Sequence, residues 1–381
     1  MIVSRQDLPK PKPFDGPYAT QKPFAPRGGV LKALSCFAGS TEAKANLDAL
    51  ARGKARVVIT GQQPSFPQPL GLTLQKVATA IALTKRESDL VPVFWNGSDD
   101  SDFLEAAGQL LPREGQTPLE VSLPRNLDQK GKRVGELPVE KAFADLLRFV
   151  KPAFLPHNRE NLGDFHARVM AEVFASEGLL VLDARSPAIM ESAVPLLTRY
   201  AKVRRELSHR VDQMGDLLET EFEARPLRRG IAERALFFLK DGRRRLPVLD
   251  DYAEALQGRI SDPGGRLSPN VVMRPLIQDF VLPVESVVLG PSEWIYHHQI
   301  LPVFEILDQP FPRPWPRLDA AGAWELKRES PPAGGRRHSP LLEQQKSLAQ
   351  SDILLQLAQL HLEAWGENHY HRWILDGEDL L

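Results

Sequence analysis

Short apolar runs bounded by turn residues alternate along this chain with stretches whose apolar residues recur every three or four positions. Arg56–Thr60 (RVVIT) predicts a buried strand, Gly61–Gly71 a Pro/Gln/Gly loop, and Leu74, Val77, Ala78 and Ile81 one face of a helix before the strand Val91–Trp95. A strand, loop, helix, strand unit implies a parallel pair with a right-handed crossover, so both post-strand loops open at one edge. A second unit follows: Asp164 is placed to cap a helix carrying Phe165, Val169 and Val173, and Gly178 ends it before the strand Leu179–Asp183.

From Leu196 the apolar positions Tyr200, Val203, Leu207, Val211, Met214 and Leu218 continue at helical spacing and predict a long helix. Ala235–Lys240 and Arg243–Leu249 flank Asp241-Gly242 and read as a hairpin. Buried material returns with Val284–Gly290 as a strand and Ser292 onward as a helix that Pro302 should kink or end. The pattern predicts an α/β fold with a parallel-sheet core, interrupted by a helical and β-hairpin insertion. The expected segments are an N-terminal arm (1–45), a first core part (46–195), the insertion (196–267), a second core part (268–328), and a linker with a short C-terminal helical tail (329–381), its helix at Leu342–Trp365.

Composition narrows the function classes. With 48 Lys+Arg against 49 Asp+Glu among 381 residues, no overall field draws the chain to nucleic acid. One cysteine, Cys36, excludes an internal disulfide framework and points to a reducing cytoplasm. No apolar run reaches the roughly 20 residues of a membrane span.

Three strand-end segments carry candidate chemistry. Thr60-Gly61-Gln62-Gln63 lacks the glycines and Lys-Ser/Thr of a phosphate loop, and its amides suit a ligand rich in amine, amide or hydroxyl groups; a tight turn satisfying its own backbone accounts for it equally well. Trp95–Glu105 (WNGSDDSDFLE) gathers Asp99, Asp100, Asp102 and Glu105, which implies a cationic partner or a helix start to cap. Gly290-Pro291-Ser292-Glu293 opens a helix on which Tyr296, His298 and Gln299 follow, and of the adjacent His297 and His298 at most one reaches a site. Glu367, His369 and His371 carry loose metal-ligand chemistry with no ordered element to fix it, so no metal site is assigned.

Those segments occur in the order Thr60–Gln63, Val91–Glu105, Ser268-Pro269-Asn270-Val271 with Arg274-Pro275 and Gln278-Asp279, then Gly290–Glu293 with Tyr296 and Gln299. In that succession, from about Val57 to Arg317, the chain resembles the bacillithiol biosynthesis cysteine-adding enzyme (BshC) family, as a shortened and divergent member. The resemblance implies a Rossmann-like core and an amide ligase that joins the carboxyl of cysteine to the amine of glucosaminyl-malate. A distant likeness to class I aminoacyl-tRNA synthetases implies ATP with magnesium for acyl activation, which the residues themselves do not identify. On this reading Asp100 and Asp102 are the catalytic pair. Thr60, Gly61, Gln62, Gln63, Lys76, Trp95, Asp99, Ser101, Glu105, Gly290, Pro291, Ser292, Glu293, Tyr296 and Gln299 bind substrate.

The family's acidic segment reads Glu-Asp-His-Asp-Phe-x-Glu followed by Asn-His; here Asp99 and Ser101 hold its first and third positions, and Ala107-Gly108 the later pair. The family's Gly-Pro-Leu-Tyr-Thr ahead of the lysine is replaced by Pro69–Thr73 before Lys76. Loss of an imidazole removes a group that exchanges protons at neutral pH. Two alternatives therefore stand beside the ligase: a catalytically silent ligand-binding relative or subunit, and a ligase acting on another amine. Small-molecule partners, no nucleic acid, no membrane, and a monomer or weak homodimer lacking the family's long coiled-coil arm complete the expectation.

Overall fold

The computed structural model describes residues 21–317, apart from residues 68, 70, 114–115, 140–155, 158 and 223–224. The expected Leu342–Trp365 helix and the 329–381 tail lie outside the described residues. The elements run α1 (Gly28–Ser35), α2 (Thr41–Ala51), β1 (Arg56–Gln62), α3 (Gly71–Thr84), β2 (Leu90–Asn96), α4 (Phe103–Ala106), β3 (Gly108–Arg113), β4 (Gln116–Ser122), α5 (Leu162–Val173) and β5 (Leu180–Asp183). They continue with α6 (Pro187–Ser192), α7 (Val194–Phe222), β6 (Leu236–Lys240), β7 (Arg243–Arg245), α8 (Leu249–Ile260), β8 (Leu267–Pro269), α9 (Met273–Val281), β9 (Val284–Leu289), α10 (Pro291–Ile306) and β10 (Arg313–Pro316).

Five strands form one parallel sheet in the order β10-β9-β1-β2-β5. Alternate residues feed two apolar layers, as a sheet covered on both faces requires. Val57, Ile59, Val93, Trp95, Leu180 and Leu182 face the layer built with α1, α6, α7, α9 and α10. Val58, Phe94, Val181 and Val288 face α3 and α5 through Val77, Ala78, Ile81 and Met170. Within the segment read as an arm, Val30 and Leu34 of α1 are fully buried in the first of these layers.

From β1 the chain builds outward through β2 to β5. It then crosses back and lays β9 on the other side of β1. The sheet's order therefore reverses between β1 and β9, and the loops leaving these two strands turn to opposite faces: β1 leads to α3 on one, β9 to α10 on the other. A crevice must open between them at the carboxyl ends of the strands, the place where open α/β sheets bind ligands.

The chain between β5 and β9 carries the insertion. The hairpin β6–β7 turns on Asp241 (φ 52°) and Gly242 (φ 69°), both left-handed as a two-residue hairpin loop demands. Strand β8 joins it to make a three-stranded antiparallel sheet, β7-β6-β8. One local expectation needs correction. The cap of α5 is Asn161, whose side chain accepts from the Asp164 N–H, so Asp164 sits within the first turn. Of the two outcomes expected at Pro302, ending the helix does not occur: α10 runs on to Ile306, because burial of Ile300, Val303 and Phe304 outweighs the one N–H that proline withholds. The hairpin β3–β4 and the edge strand β10 were not anticipated. In β10, alternating Pro314 and Pro316 obscure a strand that needs only one bonded edge.

Candidate functional site

Lys76 projects from α3 into the β1/β9 crevice with its side chain only 3% exposed. Its ammonium donates to the Gly61 carbonyl (3.0 Å) and to Gln62 Oε1 (2.8 Å), and pairs with Glu293 Oε2 at 2.5 Å. Glu293 belongs to the first turn of α10, and the same oxygen accepts the Gly290 N–H at 2.6 Å, reaching back to cap the start of the helix. Burial pushes the Glu293 carboxyl up, but Lys76 and the Gly290 amide outweigh it and hold the group below the usual glutamate range. Burial lowers Lys76, with Glu293 opposing. Arg317, just past β10, reaches the same place: its backbone N–H bonds Leu289 O, and its guanidinium donates to Gln75 Oε1. Tyr296 is half-buried and stacks on His297, whose Nδ1–H donates to Glu293 O at 2.8 Å. Burial keeps His297 neutral, its pKa drawn down to about 4.

The other wall is the acidic loop after β2. Gln62 Nε2 donates to Glu105 Oε1 (2.9 Å) and Gln63 Nε2 to Glu105 Oε2 (3.1 Å). Glu105 is solvent-exposed. Desolvation on its inner side, then the nearby charges of Asp102 and Asp100, raise its pKa above the ordinary value. Asp102 caps α4, accepting the Glu105 N–H at 3.2 Å. A Cβ on Gly61 would lie 3.1 Å from the Trp95 carbonyl on the neighbouring strand, a tight approach that favours glycine there.

Asp100 is engaged elsewhere. Its two oxygens accept from Arg244 Nη1 of β7 and Arg274 Nη2 of α9, both at 2.8 Å, and one also takes the Ser101 N–H at 2.7 Å. Burial works to raise this carboxyl, yet the two guanidiniums bring it down to about 2. Arg244 stacks over Phe237 (4.1 Å) and donates to Pro269 O. Asp99, buried, accepts from Ser268 of β8 at 2.8 Å. The first two aspartates thus tie the inserted sheet and α9 to the end of β2. Behind them, Asp183 accepts from Ser98 (2.6 Å) and Arg185, while Arg185 also reaches Asp164, Asn161 and Gly135 O.

The residues selected from sequence therefore divide. Gln62, Gln63, Lys76, Glu105, Gly290 and Glu293 meet at the crevice, Tyr296 and Asp102 border it, and the Ser101 N–H is bonded to Asp100. Pro291 is the first residue of α10 and Ser292 is exposed beside it. Three others are directed away. The Thr60 hydroxyl donates to Val288 O across the sheet, and the Trp95 indole packs in the core. The Gln299 carboxamide is spent on Leu227 N and O and on Val211 O. Arg244 and Arg317 escaped the sequence reading, because their partners Asp100 and Gln75 lie 144 and 242 residues away along the chain. Among the described residues no cluster of three or more His, Cys, Asp or Glu side chains is set to hold a metal, and no helix is long and apolar enough to cross a membrane.

The family description "Bacillithiol biosynthesis BshC, N-terminal Rossmann-like domain" matches residues 29–318, more than half of the chain. The chain belongs to the BshC family. Proteins named "Putative cysteine ligase BshC" from Natranaerobius thermophilus, Bacillus cereus (strain G9842) and Carboxydothermus hydrogenoformans are 24%, 27% and 28% identical to it over 294, 311 and 324 residues. These alignments cover 68%, 72% and 75% of this chain, and 53%, 56% and 59% of the relatives' own lengths. The chain thus spans little more than half the length of the curated relatives it matches. The parallel sheet and its switch-point crevice are the BshC Rossmann-like core, and the matched region takes in every element from α1 to β10.

Proposed function

We propose that the chain is a cytoplasmic cysteine ligase of the BshC type, forming an amide between the carboxyl of cysteine and the amine of glucosaminyl-malate. The supporting observation is the set of polar groups at the β1/β9 crevice. Gln62, Gln63, Glu105, Lys76 and Glu293 come from four separate elements, and only at this end of the sheet can they converge. Asp100 is ion-paired with Arg244 and Arg274 and Asp102 caps a helix, which favours Glu105, facing solvent without a cation against it, over that pair for the catalytic role. A nucleotide phosphate fits the crevice poorly as it stands. The Gly290 amide and the Lys76 ammonium, the groups that would meet it, are both taken by Glu293.

Purified protein incubated with cysteine, glucosaminyl-malate, ATP and magnesium should yield the amide, seen by mass spectrometry as the sum of the two substrates less water. Lys76→Ala should lower the yield at least tenfold. Absence of product while glucosaminyl-malate still binds would replace the ligase with the silent-binder reading, which Ser101 and Gly108 at the family's histidine positions favour.

A further inference from the structure

Four carboxylates stand at or beside the crevice, and their surroundings differ in kind. Asp100 lies between two guanidiniums, Glu293 against an ammonium, and Asp102 under the first turn of α4. Glu105 alone meets two neutral carboxamides, Gln62 at 2.9 Å and Gln63 at 3.1 Å. The orientation of Gln62 is not free, because Lys76 has donors only and therefore takes Gln62 Oε1, which turns Nε2 toward Glu105. Gln63 has no such tether: its Oε1 is buried without a hydrogen bond among the described residues, while its Nε2 reaches the second Glu105 oxygen. Lys76 and Gln62 thus position a carboxylate that is presented to solvent.

We infer that Glu105 is the group that receives the substrate ammonium and takes its proton, an assignment that rests on the proposed ligase reading. An amine attacks an acyl carbon only as the free base, so one N–H bond of the ammonium must break first. The proton goes to a Glu105 oxygen and the electron pair stays on nitrogen, leaving a neutral amine and a neutral carboxylic acid. No metal or further reactant enters this step. The charged groups facing Glu105 are Asp102 and Asp100 from its own loop and Lys76 from α3. The two aspartates favour its protonated form, while Lys76 and the Gln62 hydrogen bond favour the ionised form. With desolvation added to the two aspartates, the net shift is upward, the direction that suits a proton acceptor.

The test combines kinetics with a readout that does not need turnover. In the ligation assay, Glu105→Gln should lower kcat/KM at least 100-fold and abolish the acid limb of its pH profile. Gln63→Ala should move the acid limb of whatever activity it retains to higher pH, since it removes a hydrogen bond from the ionised form. In parallel, protein carrying glutamate labelled with carbon-13 at the carboxyl is titrated by NMR, with the Glu105 resonance identified by its loss in Glu105→Gln. Its midpoint should lie above the ordinary glutamate value, rise further in Gln63→Ala, and fall when glucosamine is added as the ammonium probe. A Glu105 midpoint at or below the ordinary value and unmoved by glucosamine would overturn the assignment, as would a Glu105→Gln enzyme that keeps its acid limb. If no variant, wild type included, forms product while the glucosamine response persists, the ammonium site stands and the ligase reading fails instead.

Discussion

Replacing Asp100 by asparagine should loosen the inserted sheet from the core, and the size of the effect follows from the site's electrostatics. Asp100 is held at about 2 against an ordinary 3.8, so at roughly 1.36 kcal/mol per pH unit its ionised form contributes about 2.4 kcal/mol at neutral pH. Its side chain is 20% exposed, and Arg244 and Arg274 are 4% and 22% exposed, so solvent screens the triad little. Removing the charge also strands two guanidiniums, a change that costs about 3–5 kcal/mol when a buried pair is broken. The expected loss therefore lies between about 2.4 and 5 kcal/mol in urea unfolding at pH 7. Because the folded carboxyl is depressed, its contribution is complete above 3.8 and vanishes as pH falls through 2, so the difference between wild type and Asp100→Asn should shrink by roughly half at pH 3. Arg205→Ala, which removes a pair whose arginine is 80% exposed, serves as the control and should change stability by less than about 0.5 kcal/mol. An Asp100→Asn loss no larger than that control would refute the clasp and return Asp100 to the list of free site carboxylates.

Gln299→Ala should cost about 3 kcal/mol in the same assay, because Leu227 N and O and Val211 O are left buried without their partner, while substrate affinity stays unchanged by titration calorimetry. Burial holds His166 neutral to about 3, so only the unfolded chain takes up a proton as pH falls through 6.5; wild type should lose about 2 kcal/mol from this group between pH 7 and pH 5, and His166→Gln should lack that part of the decline in Tm. Burial raises the Asp279 carboxyl well above its ordinary value, and its Oδ2 has no hydrogen bond among the described residues; the native state therefore binds the extra proton and loses stability as pH rises, so Asp279→Asn should raise Tm at pH 8 more than at pH 5. A Cβ at position 135 would lie 2.5 Å from Ser98 O, so Gly135→Ala should destabilise by more than about 2 kcal/mol and displace the acidic loop.

The parts of the fold legible in the sequence were those written in local pattern. The buried runs at β1, β2, β5 and β9, the Asp-Gly turn of the hairpin and the 29-residue α7 declare themselves by periodicity and turn chemistry. From the strand ends it followed that the loops after β1, β2 and β9 share one edge. Pairings across great sequence distance left no such trace: Arg274 is 174 residues from Asp100, and Ser268 is 169 from Asp99. Without those partners, four acidic residues in one loop look interchangeable. The same blindness applied to Gln299, three positions beyond Tyr296 on α10, where neighbouring α7 and the loop before Leu227 claim the side chain.

What the loop achieves is a division of labour among residues of one chemical type. Asp99 and Asp100 face inward and bind the insertion, Asp102 serves its own helix, and Glu105, three positions on, turns toward the β1 loop. The order follows from geometry: the cap at Asp102 starts a single helical turn, and one turn carries the residue three places later back over the cap and out toward Gln62 and Gln63. Anchoring by the first two carboxylates is what keeps the last in place, since the Asp100 carbonyl and Ser98 carbonyl also accept from Val134 and Gly135 and fix the loop from behind. Ser101 and Gly108 flank this turn. Desolvation, then the charges of Asp102 and Asp100, raise Glu105 above its ordinary value, while the carboxamides of Gln62 and Gln63 hold it at the edge that faces the β1 loop.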